Sequence, residues 1–289
     1  MYIYINGQYM KQEKAKISPF DHGFLYGIGI FETFRMYNGH PFLLDDHLER
    51  LHQGLQELNI KYSLKREDVL SILTKLKTHN ELPNAYVRLN VSAGIGEIGL
   101  RSEPYPEPTI IVFQKKLPSV SGLSSKEGRF LSIRRNTPET GFRLKSHHYL
   151  NNMAAKREIG STASIEGIFL TEQGYVAEGI TSNIFWYKNH TLYTPKIETG
   201  ILNGITRQFV LSLSDQLGVK TNEGCYSKEH LLSAEEIFFT NSVQGVVPIS
   251  QLDAQVFPGC EGELVKMLST AYQEKTGDLW SHHELGGRS

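Results

Sequence analysis

Cysteine is scarce in this sequence. Its 289 residues include only Cys225 and Cys260, which are far apart and show no Cys-x-x-Cys spacing. This pattern excludes a disulfide framework and a thiolate metal site. Histidine sites are disfavoured as well, because His22, His47 and His52 have no carboxylate or cysteine companions at metal-ligand spacing. We therefore expect no bound metal.

An excess of one charge and long apolar runs are also absent. The formal net charge is -1 at pH 7 and the pI is about 6.8, so the sequence lacks the excess of positive charge that is typical of nucleic-acid-binding proteins. No apolar run approaches the roughly 18 residues of a membrane span. The N-terminal M-Y-I-Y-I lacks the features of a secretory signal. We expect a cytoplasmic protein without nucleic-acid or membrane partners.

Three motifs of common enzyme classes are missing too. The sequence has no G-x-S-x-G elbow, no P-loop, and no G-x-G-x-x-G that opens a helix after a strand. These absences disfavour a serine hydrolase, a P-loop nucleotide-binding protein and a dinucleotide-binding protein.

The first half of the sequence alternates between helix and strand patterns. Asn6-Gly7 between alternating apolar residues predicts a hairpin, and leucines at helical spacing predict a helix over 45–59 that carries Arg50. A strand over 85–93 places Tyr86 and Arg88 on one face. An arginine in that position is either a carboxylate clamp or an edge-strand charge.

The length of the chain and one stretch of linker composition predict two domains. Residues 119–128 read S-V-S-G-L-S-S-K-E-G, so we place a linker there, with an N-terminal domain over 1–118 and a C-terminal domain over 129–289. The second half is rich in strands, with hairpins predicted to turn at 172–174 and 188–190. The predicted fold class is mixed α/β.

Lys145 precedes a predicted amphipathic helix. Leu150 and Met153 lie at helical spacing with Ala154 and Ile159, so we expect the helix to begin near Ser146 and to bury these residues. Lys145 would then lie at a strand-to-helix junction. It is either a solvated surface charge or a reactive amine held by the helix.

Two stretches of the second half offer donors for a phosphate. Backbone N-H groups are left unpaired at the helix entrance Gly204-Ile205-Thr206, and Asn241-Ser242 follow a predicted strand. Arg50 is a candidate for the same phosphate. Each feature also has a purely structural explanation, since glycine and threonine commonly cap helices.

Six motifs follow one another along the chain: D-H-G-F-L-Y-G-I-G-I-F-E-T-F-R, H-L-E-R-L, K-S-H-H-Y-L-N-N, E-G-I-T-S-N-I-F, L-N-G-I-T-R and T-N-S-V-Q-G-V-V-P. With these motifs in this order, the chain closely resembles the fold-type IV pyridoxal-phosphate enzymes from Tyr4 to about Ser250. The resemblance implies a small N-terminal α/β domain, a larger strand-rich pseudo-barrel C-terminal domain, and a homodimer.

The resemblance also implies roles for individual residues. Lys145 corresponds to the catalytic Schiff-base lysine, Glu178 to the partner of the cofactor's ring nitrogen, and Tyr149 lies near the ring hydroxyl. The residues expected to hold the phosphate are Arg50, Ile205, Thr206, Asn241 and Ser242. The expected substrate contacts are Phe31, Tyr86 and Arg88.

Among the subfamilies, the first and third motifs look most like those of aminodeoxychorismate lyases of folate biosynthesis. The implied reaction converts 4-amino-4-deoxychorismate to para-aminobenzoate and pyruvate. The alternative is a branched-chain or D-amino-acid aminotransferase. Several lyases and D-amino-acid enzymes carry an arginine just after the strand, whereas S-A-G-I-G-E-I-G-L has none before Arg101, and N-A-Y-V-R-L resembles the branched-chain enzymes. A descendant that binds the cofactor without catalysis is a third reading, which an intact Lys145 and Glu178 disfavour.

Overall fold

The structure is a computed structural model that describes residues 1–117 and 122–286. These residues form two compact units. The first takes in residues 1–117, 144–148 and 277–281, and the second takes in residues 122–143, 149–276 and 282–286. Lys145 thus belongs to the first unit, although most of that unit is formed by residues 1–117, well before Lys145 in the chain.

The first unit is built on one antiparallel sheet. Its strands are β1 (Tyr2–Ile5), β2 (Gln8–Lys11), β3 (Gly29–Tyr37), β4 (His40–Pro41), β5 (Ala85–Ser92) and β6 (Thr109–Lys116). They lie in the order β2-β1-β6-β5-β3-β4. The α-helices of this unit are α1 (His22–Leu25), α2 (Leu44–Glu57) and α3 (Arg66–Asn80).

Strand alternation separates a core face of this sheet from a second face. The core face packs against α2 and α3, and burial of each large apolar side chain there contributes on the order of 1.5–3 kcal/mol. Its fully buried residues include Phe34, Met36, Ala85, Val87, Leu89 and Val91. Tyr86 and Arg88 alternate with these residues and point to the second face, as predicted.

The predicted opening hairpin is confirmed. Strands β1 and β2 pair in antiparallel register with Tyr4 opposite Tyr9. Asn6 and Gly7 both have positive φ, 41° and 89°, which is the conformation that a two-residue hairpin turn requires.

The second unit contains a nine-stranded mixed sheet. Its strands are β7 (Lys126–Phe130), β8 (Ile165–Leu170), β9 (Val176–Gly179), β10 (Asn183–Lys188), β11 (Thr191–Pro195), β12 (Lys220–Gly224), β13 (Glu236–Asn241), β14 (Gly245–Leu252) and β15 (Gln255–Val256). The order is β12-β11-β10-β13-β14-β7-β8-β9, and β15 pairs with β14. The α-helices are α4 (Leu150–Ile159), α5 (Ile205–Gln216), α6 (Lys228–Leu232) and α7 (Glu263–Lys275).

Both predicted hairpins of the second half are confirmed. Strands β8 and β9 are antiparallel and turn through Gly174, whose φ is 87°. Strands β10 and β11 are antiparallel and turn through Asn189 and His190, whose φ values are 47° and 56°. In each case the local sequence supplied residues that tolerate positive φ.

The prediction for the helix after Lys145 was wrong in two respects. Helix α4 begins at Leu150 and not near Ser146. Two of the four predicted apolar residues are not buried, because Leu150 is 76% and Met153 50% exposed, whereas Ile159 packs against a core cluster and the helix buries Asn152 and Ala155. Hydrogen bonds to Asn152, described below, fix the orientation of α4 more strongly than its apolar pattern does.

The predicted domain boundaries stay a prediction. Residues 118–121, which take in the end of the predicted N-terminal domain and the start of the proposed linker, lie outside the described residues. Strand β7 takes up 126–128, the last residues of the proposed linker. Across the described ranges 1–117 and 122–286, no helix has both the length and the apolar character needed to cross a membrane.

Candidate active site

The segment that carries Lys145 is paired with the start of β3. The N-H of Phe31 donates to the carbonyl of Lys145 at 2.9 Å, and the N-H of His147 donates to the carbonyl of Gly29 at 3.0 Å. Gly29 is required here, because a Cβ on it would lie 2.3 Å from the His147 ring. Backbone pairing to a sheet, and not a helix, therefore fixes Lys145.

The side chain of Lys145 lies on an aromatic ring. Its Nζ is 4.6 Å from the centroid of the Phe31 ring, and the guanidinium carbon of Arg88 is 3.5 Å from the same centroid. Phe31 is 2% exposed and Lys145 is partly buried. Contacts of this kind position cations through the ring quadrupole. The structure thus brings the predicted catalytic lysine and two of the predicted substrate contacts together.

Arg88 does not lie on an edge strand. Its strand β5 lies between β6 and β3, so the edge-strand explanation of this charge is wrong. Tyr86 is on the same face of β5, opposite Arg35 in the register with β3. A charged residue in the middle of a sheet, on the face opposite the apolar core, is typical of a binding surface.

His147 supports this cluster as a neutral side chain. Burial, followed by the nearby charge of Arg88, lowers the pKa of His147 to about 4. One ring nitrogen of the neutral form carries a proton, and Nε2 lies 3.0 Å from Oδ1 of Asn90. Asn90 Oδ1 also accepts a longer bond of 3.4 Å from Arg88.

Arg50 binds a buried carboxylate. Its Nε and one terminal nitrogen donate to the two oxygens of Glu32 at 2.8 and 2.6 Å, and Nδ1 of His47 lies 2.6 Å from Glu32. Burial raises the pKa of Glu32, but the charge and hydrogen bonds of Arg50, with the hydrogen bond of His47, outweigh it and lower the pKa to about 2. This bidentate pair fixes the guanidinium on α2.

In the second unit, Glu178 is a buried carboxylate with several donors. Its Oε1 accepts from Nε of Arg135 at 2.8 Å, and Nε of Arg143 lies 3.7 Å away. Its Oε2 accepts from the N-H of Leu202 at 3.0 Å and from Nδ2 of Asn183 at 3.4 Å. Glu178 is only 4% exposed, so these groups hold it in one orientation.

The entrance of α5 is shaped by glycine. Gly204 occupies the N-cap position in extended conformation and, being glycine, has no side chain to cap the first turn. A Cβ on Gly204 would lie 2.0 Å from Oδ1 of Asn183, so a larger residue would displace that amide. The hydroxyls of Thr206 and Ser242 lie 3.3 Å apart, which joins the two predicted phosphate-binding stretches.

The other predicted cofactor residues have local structural roles. Asn241 Oδ1 accepts from the N-H groups of Val243 and Gln244 at 3.0 and 2.8 Å, and this shapes the turn that carries Ser242. Tyr149 occupies the N-cap position of α4. Next to Asn241, the Thr240 hydroxyl is buried and makes no hydrogen bond to any part of the chain that the structure describes. Buried hydroxyls normally have a partner.

A family comparison identifies the relationship behind this arrangement. The sequence model described as amino-transferase class IV matches residues 29–252, which include every predicted site residue. The chain belongs to the amino-transferase class IV family. The match begins at Gly29, the residue that pairs with the Lys145 segment.

Three members of the amino-transferase class IV group illustrate the likeness. Aminodeoxychorismate lyase of Bacillus subtilis is 49% identical to this chain over 99% of the chain and 98% of the relative. The branched-chain amino acid aminotransferase of Escherichia coli has a TM-score of 0.84 at 26% identity, with 96% of both chains covered. The 4-amino-4-deoxychorismate lyase of Pseudomonas aeruginosa has a TM-score of 0.82 at 26% identity, with 95% of this chain and 99% of that chain covered. The predicted fold-type IV fold is confirmed.

Enzymes of this family depend on pyridoxal 5'-phosphate, and the residues present fit that group. Each oxygen of a carboxylate accepts two hydrogen bonds, and Oε1 of Glu178 receives one within 3 Å from the described residues. A ring N-H therefore matches its remaining lone pair. The N-H groups at the glycine-capped entrance of α5 and the hydroxyls of Thr206 and Ser242 match a phosphate.

Sequence reasoning missed four groups around Glu178. Arg135, Arg143, Asn183 and the N-H of Leu202 all lie within 4 Å of its carboxylate. Asn183 and Leu202 belong to the quoted family motifs, and this could have marked them as candidate site residues. No such signal marked the two arginines, because nothing in R-R-N-T-P-E-T-G-F-R indicates which of its arginine side chains is buried against Glu178.

Proposed function

We propose that this protein is an aminodeoxychorismate lyase that converts 4-amino-4-deoxychorismate to para-aminobenzoate and pyruvate. The observation that carries the proposal is the 49% identity, over 99% of this chain, to the enzyme of that name from Bacillus subtilis. Two observations support it. Glu178 is buried, and the Nζ of Lys145 lies against the Phe31 ring, so both residues are in surroundings suited to the roles that the family motifs imply.

In this proposal the chain's own residues hold pyridoxal phosphate at both ends. Lys145 is the lysine that bonds to the cofactor, and Glu178 accepts a hydrogen bond from its ring nitrogen. Tyr149 lies near the ring hydroxyl. Arg50, the Ile205-Thr206 helix entrance and Asn241-Ser242 hold the phosphate, through a guanidinium, backbone N-H groups and hydroxyls.

The chemistry divides between cofactor and protein. When bound, pyridoxal phosphate supplies an electron sink for carbanion formation. Once the substrate amine replaces Lys145 on the cofactor, the Nζ of Lys145 would be a free amine, positioned as a general base to take the proton from the substrate carbon that bears the amine. Cleavage of the neighbouring carbon-oxygen bond releases the three-carbon side chain as enolpyruvate, which takes up a proton to become pyruvate. Loss of the proton and of the side chain leaves an aromatic ring, which makes the elimination favourable.

Arg88, Tyr86 and Phe31 form the substrate contacts in this proposal. The substrate is a dianion with two carboxylates, and Arg88 offers a guanidinium held flat on the Phe31 ring at 3.5 Å. A planar guanidinium binds a carboxylate through two parallel hydrogen bonds. The Tyr86 ring stands on the same face of β5 and covers the neighbouring part of the substrate.

The direct test supplies enzymatically generated aminodeoxychorismate to the purified, cofactor-loaded protein and follows para-aminobenzoate by its fluorescence. We expect product with wild type and none with Lys145→Ala. The matched control is Lys156→Ala, because Lys156 is a half-buried lysine of α4 whose Nζ donates to the carbonyl of Thr162. Absence of para-aminobenzoate with a correctly folded, cofactor-loaded wild type would refute the lyase.

An aminotransferase is the second candidate. It is favoured by the 30% identity to D-alanine aminotransferase of Bacillus licheniformis and by Arg88 with Tyr86 on β5. An aminotransferase needs the same cofactor residues but no leaving group on its substrate. Glutamate formation from branched-chain or D-amino acids with 2-oxoglutarate, at a rate above that of the lyase reaction, would establish it.

The homodimer and the cytoplasmic location also belong to the proposal. Helix α1 and the segment that follows β5 are tied together, because the N-H of His22 donates to the carbonyl of Gly94 at 2.9 Å, and both expose large apolar side chains. Phe24 is 67%, Ile98 76% and Leu100 97% exposed, which supports a subunit contact at this surface. Light scattering should give twice the chain mass for wild type and a lower mass for Ile98→Glu.

A further inference from the structure

Arg135 is the side chain most closely engaged with Glu178. Its Nε donates to Oε1 at 2.8 Å, and only 9% of Arg135 and 4% of Glu178 are exposed. A guanidinium in direct contact stabilises a buried carboxylate as the anion. The second cation, Arg143, lies 3.7 Å from the same oxygen, and its Nε donates to the carbonyl of Gly200.

Helix α4 fixes Arg135 in this position. One terminal nitrogen of Arg135 donates to Oδ1 of Asn151 at 2.7 Å and to Oδ1 of Asn152 at 3.3 Å. The amide nitrogens of these asparagines donate to the carbonyls of Arg134 and Ile180. The guanidinium also lies 5.0 Å from the centroid of the Phe169 ring. Arg135 therefore has a single position set by contacts on several sides.

This network explains why α4 buries an asparagine and leaves Leu150 and Met153 exposed. The orientation that the apolar pattern predicts would turn Asn152 outward and break its bonds to Arg135 and Ile180. A buried polar network is stabilising only when its members are satisfied, and the Asn151-Asn152 amides complete this one. The asparagine pair of the K-S-H-H-Y-L-N-N motif thus acts on Glu178 through Arg135.

We propose that Arg135, held by Asn151 and Asn152, is a positioning residue that keeps Glu178 oriented and anionic, so that the proton shared with the cofactor resides on the ring nitrogen. The inference rests on the proposed function for the role of Glu178. Without Arg135, the carboxylate loses its closest cation and the one donor within 3 Å of Oε1 among the described residues, and the proton moves from the ring nitrogen toward Glu178. Arg135 itself contacts neither substrate nor the reacting carbon.

The test is nitrogen NMR of the holoenzyme loaded with cofactor that is isotope-labelled at the ring nitrogen. We expect a protonated resonance in wild type and a shift toward the unprotonated position in Arg135→Met. The kcat should fall by about tenfold or more while KM stays within about twofold, because only an interaction acting through the cofactor is lost. Arg129→Met is the matched control, since Arg129 is 54% exposed on β7 and should leave both values unchanged.

Two further variants separate positioning from folding. Asn151→Ala should move the resonance in the same direction as Arg135→Met but less, and it should have no further effect in the Arg135→Met background, because it acts through that arginine. If Arg135→Met does not fold, the ring-nitrogen resonance is measured in Arg135→Lys instead, because that variant keeps the positive charge but not the hydrogen bond from Nε. A wild-type resonance in every folded variant of Arg135 would overturn the inference.

Failure of the proposed function gives a different result. Glu178→Gln should itself move the ring-nitrogen resonance. If it does not, the role assigned to Glu178 is wrong and the inference falls with it. If Glu178→Gln moves the resonance and Arg135→Met does not, the role of Glu178 stands and only the role of Arg135 is overturned.

Discussion

Replacement of Glu32 by glutamine should destabilise the protein, because this carboxylate forms the centre of a buried charge cluster. It is 1% exposed and accepts bonds from Arg50 at 2.8 and 2.6 Å and from His47 at 2.6 Å. Glutamine has nearly the same volume and keeps one acceptor oxygen, so the change removes the charge with little loss of packing. Arg50 then loses the buried carboxylate that accepts its two hydrogen bonds.

The magnitude follows from the pKa of Glu32. A pKa lowered from 4.5 in the unfolded chain to about 2 in the folded protein corresponds to about 3 kcal/mol of stability. This agrees with the roughly 3 to 5 kcal/mol lost when one partner of a buried pair is removed. Because the folded pKa is the lower one, the contribution is complete above pH 4.5 and is lost as the pH falls from 4.5 toward 2.

His47 adds to the acid sensitivity of wild type. Burial lowers its pKa below 6.5 despite the opposing influence of Glu32, so the folded protein holds a neutral imidazole that the unfolded chain protonates below that pH. Stability from this residue is therefore present above pH 6.5 and declines as the pH falls. Glu32→Gln removes a group that raises this pKa, so the second decline should be kept in full or become larger.

Urea unfolding of the cofactor-free protein measures both effects. We expect Glu32→Gln to lose about 3 kcal/mol at neutral pH, and the difference from wild type to shrink below pH 4.5. Asp45→Asn is the control: its ion pair with Arg66 has side chains 31% and 40% exposed, so we expect a loss within about 1 kcal/mol. A loss from Glu32→Gln no larger than that of the control, or one that does not shrink on acidification, would refute the reasoning.

Three further predictions concern the cofactor. Gly204→Ala should weaken cofactor binding by about tenfold or more, measured by equilibrium titration, since its Cβ would lie 2.0 Å from Asn183 Oδ1 at the phosphate end; binding equal to wild type would contradict the assigned helix entrance. Lys145→Ala should abolish both the visible absorbance of lysine-bound cofactor and its fixation by borohydride, and persistence of either would move the catalytic role to another lysine. Glu178→Ala should retain cofactor but lose turnover by on the order of a hundredfold, if ring protonation contributes a few kcal/mol; near-normal turnover in the para-aminobenzoate assay would exclude its role.

Local signals predicted the turns and most element boundaries well. Asn6-Gly7, Gly174 and Asn189-His190 all have positive φ, which a few residue types tolerate, so two or three letters of sequence were sufficient. The leucines of α2 were equally informative, because a helix that covers a sheet must bury one stripe. The buried face of helix α4 was predicted wrongly, because the spacing of apolar residues alone cannot predict that an asparagine is buried.

The sequence by itself determined the family, the cofactor class and the identities of the residues proposed to hold it, because these depend on residue types in a fixed order along the chain. Tertiary structure alone decided that Lys145 is pinned by backbone bonds to β3, that Arg50 is paired with Glu32, and that Arg135 engages Glu178. Such contacts join residues far apart in the chain. Their distances and burial follow from how strands and helices pack, and no local pattern encodes them.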